Sequence, residues 1–228
     1  MSKRRRTSGI QRRERASSEA LNRRIDAGAA AGGASLPDWR LLAIGGVLLV
    51  GVILIALVVV MGSTPDPNAG TQQPNDGGGH VDDGMTCRAA QAPCGADPYS
   101  SLPATSGPHW GTPAAWGAYS TPQNESQLLH NLEHGGIVIW YDPKALTEAQ
   151  VDELASYVDG QVATGIGGRF KFILSPWSGD EELGGVIALT AWRHLLVLDT
   201  FDMDAVRGFA DANYVRYAPE PNGGPAPA

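Results

Sequence analysis

Cysteine is nearly absent. Two in 228 residues exclude a disulfide-dense scaffold, a four-cysteine zinc ribbon and an iron–sulfur ferredoxin. There is also no phosphate-cradling Gly-rich loop, no dinucleotide-binding fingerprint and no Gly-x-Ser-x-Gly serine elbow, so chemistries that depend on those motifs have no foothold. No internal repeat is visible. Glycine and proline number 29 and 16, too few to make the whole chain low-complexity. Where they fall therefore matters more than their total.

One stretch lacks charge altogether. Leu41 to Met61 reads LLAIGGVLLVGVILIALVVVM, and at about 1.5 Å per residue a helix of this length matches a hydrocarbon core of about 30 Å. It is too long, and its basic leader too extended, for a cleavable signal peptide. The formal charge of −7 hides a split: residues 1–40 hold ten Lys/Arg and four acids, and the remainder is strongly acidic. A basic segment before an apolar span predicts a cytoplasmic N-terminus, with Trp39 and Arg40 at the interface. The sequence thus predicts a signal-anchor at 41–61, a basic cytoplasmic tail at 1–40 touching anionic lipid, and everything after Met61 outside the cytoplasm. Nucleic acid is not an expected partner.

Residues 62–79 are Gly/Pro/Asn-rich and predict a flexible linker. From His80 to Gly117, aromatics and histidines join the glycines and prolines, predicting an irregular loop region clamped onto a domain at 80–219. The Pro/Gly-rich residues 220–228 read as a disordered tail. Between these lie clear elements. GIVIWYD (136–142) is a β-branched, aromatic run that reads as a buried strand. Thr147 and Gln150 form a capping box before a helix with Val151, Leu154, Ala155 and Val158 on one face. RFKFILS (169–175) is a strand, and GVIALTAW (185–192) with HLLVLD (194–199) suggests a hairpin. Met203, Val206, Phe209, Ala210 and Tyr214 mark a second amphipathic helix. The predicted class is α+β or α/β, with two helices packed on a small mixed sheet.

Chemistry concentrates in histidine. Of His80, His109, His130, His134 and His194, four fall in the loop region or where it meets the sheet. His130 and His134 flank Glu133 in HNLEHGG. If residues 128–134 are helical, the two imidazoles share a face about 6 Å apart and suit one ion. If the stretch is a strand, they lie about 13 Å apart and do not. The Gly pair that follows, with Glu, Gln and Leu before it, favours the helix. Neutral imidazole with a nearby carboxylate suits Zn(II) or Cu(II). The candidate ligands are His109, His130, His134 and Glu133, with His80 weaker, while Met85 and Cys87 near His80 would suit Cu(I). Two readings compete with a metal-binding module. His-x-x-Glu-His is also the inverted zinc-peptidase pattern, with Glu133 as general base and Glu181, Glu182 or His109 as third ligand. Alternatively, the cluster is a hydrogen-bonded polar network in a structural or partner-binding ectodomain. His194, in an apolar strand, reads as structural, and Trp177 and Trp192 as edges of the core. Cys87 and Cys94, in an oxidising compartment, predict a local disulfide contributing about 2–3 kcal/mol.

At PATSGPHW (103–110), WGAY (116–119) and HNLEHGGIVI (130–139) the chain resembles a bacterial family known as domain of unknown function 3105, over roughly His80 to Tyr217. Ala104 stands where the family usually has a second proline. The resemblance implies an anchored or secreted ectodomain carrying a His-Glu-His signature. It brings no enzyme class, and it carries no role to Cys87 or Cys94.

Overall fold

The computed structural model describes residues 39–62, 66–88, 94–96, 98–179 and 181–227. The predicted basic tail therefore lies, up to residue 38, outside the described residues. The chain divides into two units, Met1–Thr64 and Pro65–Ala228.

The first unit contains helix α1, Trp39–Gly62, of 24 residues. Among its described side chains, Val47, Leu48 and Ile55 are each more than three-fifths exposed. Side chains are described without a break only over residues 46–56. Among the described residues no helix is long and apolar enough to cross a membrane.

In the second unit the six-stranded mixed sheet runs β1-β8-β7-β5-β6-β4. Its members are β1 (Thr71–Gln72), β4 (Gly117–Ala118), β5 (Ile137–Tyr141), β6 (Phe172–Pro176), β7 (Ile187–Ala191) and β8 (His194–Leu198). β5 and β6 are parallel, joined through helix α3 (Glu148–Val162), and β5–β7–β8 is antiparallel. β7 and β8 form the expected hairpin, which turns at Arg193 with φ 58°. β2 (His80–Val81) and β3 (His109–Trp110) form a separate parallel pair.

Alternation along the strands builds two cores. Ile137, Ile139, Phe172, Leu174, Ile187 and Leu189 meet Leu154 and Val158 of α3 and Val206 and Phe209 of helix α4 (Met203–Asn213). Val138, Trp140, Ile173 and Ala188 face the other way, toward Leu128, Leu129 and Leu132 of helix α2 (Glu125–Glu133) with Trp116 and Trp192. Three helices, rather than the two expected, thus pack on an α+β sheet. The capping box of α3 is formed as the Thr147 and Gln150 pattern requires. Asn124 caps α2 through Ser126 N–H, and Asp202 caps α4 through the N–H groups of Asp204 and Ala205.

Two expectations need correction. The linker at 62–79 is not a free tether throughout. Thr71–Gln72 pair with β8, and Gly77 O and Gly79 O accept from Gly107 N–H and His109 N–H. Nor is the 220–228 tail loose: up to Pro225 it is tied by hydrogen bonds from Lys171 and Trp116. Both stretches lack large apolar side chains, and hydrogen bonds to their backbone from distant partners tie them down instead.

Candidate metal centre

Helix α2 carries the centre of the site. It ends as the Gly pair requires. His134 is the C-cap, and Gly135 follows with φ 84°, a conformation natural to glycine. At Gly136 a Cβ would stand 2.6 Å from the Trp116 ring, so only a bare backbone fits there. Residues 128–134 are therefore helical up to the cap. His130 and His134 lie on one face, their ring centroids 4.6 Å apart.

The other two histidines arrive by strand register. β2 and β3 pair His80 directly with His109, and paired residues project on the same side of a ribbon. Their rings meet edge to face at 4.9 Å, and both contact the His130 ring, at 5.0 and 5.2 Å. One ligand nitrogen from each of His80, His109 and His130 lies within 4.8 Å of the others. His109 is fully buried, and His130 and His134 nearly so. His80 is the open member, its side chain 55% exposed.

Backbone carbonyls decide how three of the rings are oriented. Nδ1–H of His109 donates to Gly107 O (2.9 Å), that of His130 to Trp110 O (2.7 Å) and that of His134 to Glu220 O (3.1 Å). A carbonyl can only accept, so each Nδ1 carries a proton, and in a neutral ring each Nε2 presents a lone pair. Those lone pairs converge. Nε2 of His130 and His134 are 2.8 Å apart. His109 Nε2 is 3.1 Å and His80 Nε2 3.7 Å from the same Glu133 oxygen, Oε2. Glu133 is itself buried. A cluster of acceptors facing one another is electrostatically unfavourable unless a proton or a cation sits among them. Burial holds the His130 imidazolium at a pKa below the ordinary histidine value, and the imidazoles of His134, His109 and His80 act in the same direction, against the hydrogen bond to Trp110 O.

All five predicted metal residues are neighbours, but the set whose ligand atoms all lie within 4.8 Å of one another is His80, His109 and His130; His134 adjoins it through His130, and Glu133 through His109 and His80. His80, the weakest candidate from sequence, is one of the three nitrogens that converge most closely. Gly78, from the stretch read as linker, forms a wall: a Cβ there would lie 3.2 Å from Glu133 Oε1 and 3.5 Å from the Trp192 ring. Cys87 and Cys94 are joined in a disulfide, so neither offers a thiolate and the Cu(I) arrangement loses one of its two soft ligands, keeping Met85 alone. Glu181 lines a different pocket beside Arg88 and Trp177, and Glu182 is exposed. His194 is buried apart, with Nδ1–H donating to Trp192 O and its ring stacked on Tyr217. Trp192 packs edge-on against His109, and Trp177 against Trp140.

The sequence of this domain matches a family model described as a protein of unknown function, DUF3105, over residues 92–226. The chain belongs to the DUF3105 family. The match takes in His109, His130, Glu133, His134 and the C-terminal segment up to residue 226, but begins after His80 and Cys87. The DUF3105 domain thus supplies three of the four imidazoles and the carboxylate, and His80 comes from residues that precede the match. No curated protein matches the chain. No solved structure matches it either.

Proposed function

We propose that this DUF3105 domain is a transition-metal-binding module for Zn(II) or Cu(II). His109, His130 and His134 bind through Nε2, His80 closes the site from the solvent side, and Glu133 supplies an oxygen ligand. The observation that carries this reading is that three Nδ1–H groups are each committed to a backbone carbonyl, the arrangement that orients imidazoles in metal sites. An ion with ligands at about 2.0–2.1 Å sets neighbouring ligand atoms about 3–3.5 Å apart. The nitrogens of His80, His109 and His130, within 4.8 Å of one another, need to draw in by about 1.5 Å at most. The exposed His80 is the ring freest to do so.

The inverted zinc-peptidase reading needs Glu133 held off the ion as a base for bound water. Its Oε2 instead stands among the ligand nitrogens, at 3.1 and 3.7 Å from two of them, which favours binding over hydrolysis.

We further propose that α1 is a membrane signal-anchor, with the basic tail cytoplasmic and the DUF3105 domain extracytoplasmic. The uncharged run from Leu41 to Met61 and the Lys/Arg excess before it support this. Protease added to intact cells should remove the domain and spare the tail.

The metal reading is tested by elemental analysis of the detergent-solubilised full-length chain. About one zinc or copper per chain is expected, and a strong loss in His130→Ala. Affinity should also fall as pH drops below about 6, because imidazolium cannot coordinate. A metal-free wild type that also takes up neither ion when titrated would leave only a protonated polar network.

A further inference from the structure

Lys171 stands immediately before β6 and is 6% exposed, a rare position for an ammonium group. No carboxylate neutralises it among its hydrogen-bond partners. Its Nζ donates to three carbonyls: His134 O at 2.8 Å, Pro221 O at 2.7 Å and Gly223 O at 2.9 Å. An ammonium has three N–H donors, and all three are used. One grips the end of α2, and two grip the C-terminal strap, residues 220–225.

The same strap reads the His134 ring. Glu220 O accepts from Nδ1–H, and Glu220 N–H donates to Glu133 O at 3.1 Å. At Gly223 a Cβ would lie 2.2 Å from His134 Nδ1, so the strap backbone runs directly against the imidazole and only glycine fits. Trp116 Nε1–H holds the far end through Pro225 O at 2.9 Å. A cleft of about 350 Å3 lined by Ile166, Phe170, Lys171 and strap residues runs beside these bonds. Polar contacts centred on Lys171 and His134 therefore tie the strap to the end of α2.

We propose that Lys171 and the 220–225 strap form a latch that positions His134 for metal coordination, so that Lys171 is a positioning residue and the strap a wall of the metal centre. This rests on the metal-binding reading and extends it. Without Lys171 the strap loses two of its anchors. The carbonyl that fixes the His134 tautomer then drifts, and Nε2 no longer points at the ion. Loss of such an outer partner typically weakens metal affinity by about 10–100-fold.

The test uses the full-length chain in detergent, with Co(II) and Cu(II) as separate probes read by their absorption spectra and by chelator competition. Three variants are compared with wild type: Lys171→Met, a chain stopped after Pro219, and His134→Ala. Circular dichroism checks that each is folded. Lys171→Met and the truncation should each weaken binding about 10–100-fold and give the absorption spectrum of His134→Ala. Adding Lys171→Met to His134→Ala should cost no further affinity, since both act through one ligand. The latch is overturned if the wild type binds while Lys171→Met and the truncation keep its affinity and spectrum. It is equally overturned if Lys171→Met weakens binding as much without His134 as with it. A wild type that binds neither probe overturns the metal reading itself, and is distinguished by failing before any variant is compared. Should Lys171→Met not fold, the truncation, which leaves Lys171 in place, decides by the same criteria.

Discussion

Asn131 offers a sharp test of how the loop bearing His109 is held. The side chain is fully buried in α2. Its Oδ1 accepts from Ala114 N–H at 2.9 Å and its Nδ2 donates to Ala114 O at 2.8 Å. The amide thus stands in for a strand partner, satisfying both backbone groups of a residue that is itself 4% exposed. Asn131→Ala removes both bonds at once and leaves a buried N–H and a buried C=O unpaired. At about 1–3 kcal/mol for each unsatisfied group, the loss is about 2–6 kcal/mol. In a domain of this size each kcal/mol shifts the melting temperature by about 2–4 °C, so Tm should fall by about 4 °C or more. Asn131→Asp should do no better, because it keeps the acceptor but turns a carboxylate oxygen toward Ala114 O. The assay is thermal unfolding of the full-length chain, followed by circular dichroism. Since the same loop supplies Trp110 O to His130, metal affinity should drop with stability. If both variants melt within about 1 °C of wild type, the Ala114 groups are reached by water and the loop is held by something else.

Further outcomes follow from other parts of the molecule. Glu133→Gln should weaken the bound ion at least about tenfold if the carboxylate is a ligand; unchanged affinity in chelator competition would return Glu133 to the role of base or bystander. Phe209→Ala empties a fully buried position on the α3/α4 side of the sheet and should cost about 3–5 kcal/mol in denaturant unfolding. It should leave metal stoichiometry unchanged, because the metal cluster belongs to the α2 side. Burial lowers the His194 pKa below its ordinary value, partly opposed by the bond to Trp192 O. The unfolded chain therefore takes up a proton first: stability is full above about pH 6.5, declines as pH falls through that value, and levels off below the depressed folded pKa. A His194→Phe variant should lose part of that acid sensitivity in Tm measured from pH 8 to pH 5, and an identical profile would refute the assignment.

The elements read from sequence are those whose signal is local. The capping pair of Thr147 and Gln150, the helical spacing of Leu154 and Val158, and the β-branched run at Ile137–Tyr141 each lie within one element and bury as their periods require. The short strands carry no such signal. Two residues cannot show an alternation, and β2 exists because Gly77 and Gly79 present carbonyls to the loop after Thr105. Lys171 was invisible as a functional residue for a similar reason. A single lysine beside an apolar strand looks like any solvated surface charge until the strap folds over it.

The four-residue spacing of His130 and His134, followed by Gly135 and Gly136, favoured a helix end over a strand without deciding between them, and in a helix that spacing puts the two imidazoles on one face by chain geometry alone. Composition likewise marked the uncharged run and the basic leader. Only the tertiary structure decided that His80 and His109 join them, through the parallel register of β2 and β3, and that residues 220–225 close over His134. Those contacts join positions dozens of residues apart. Nothing in the spacing of residues along a chain encodes which distant carbonyl a buried N–H will find.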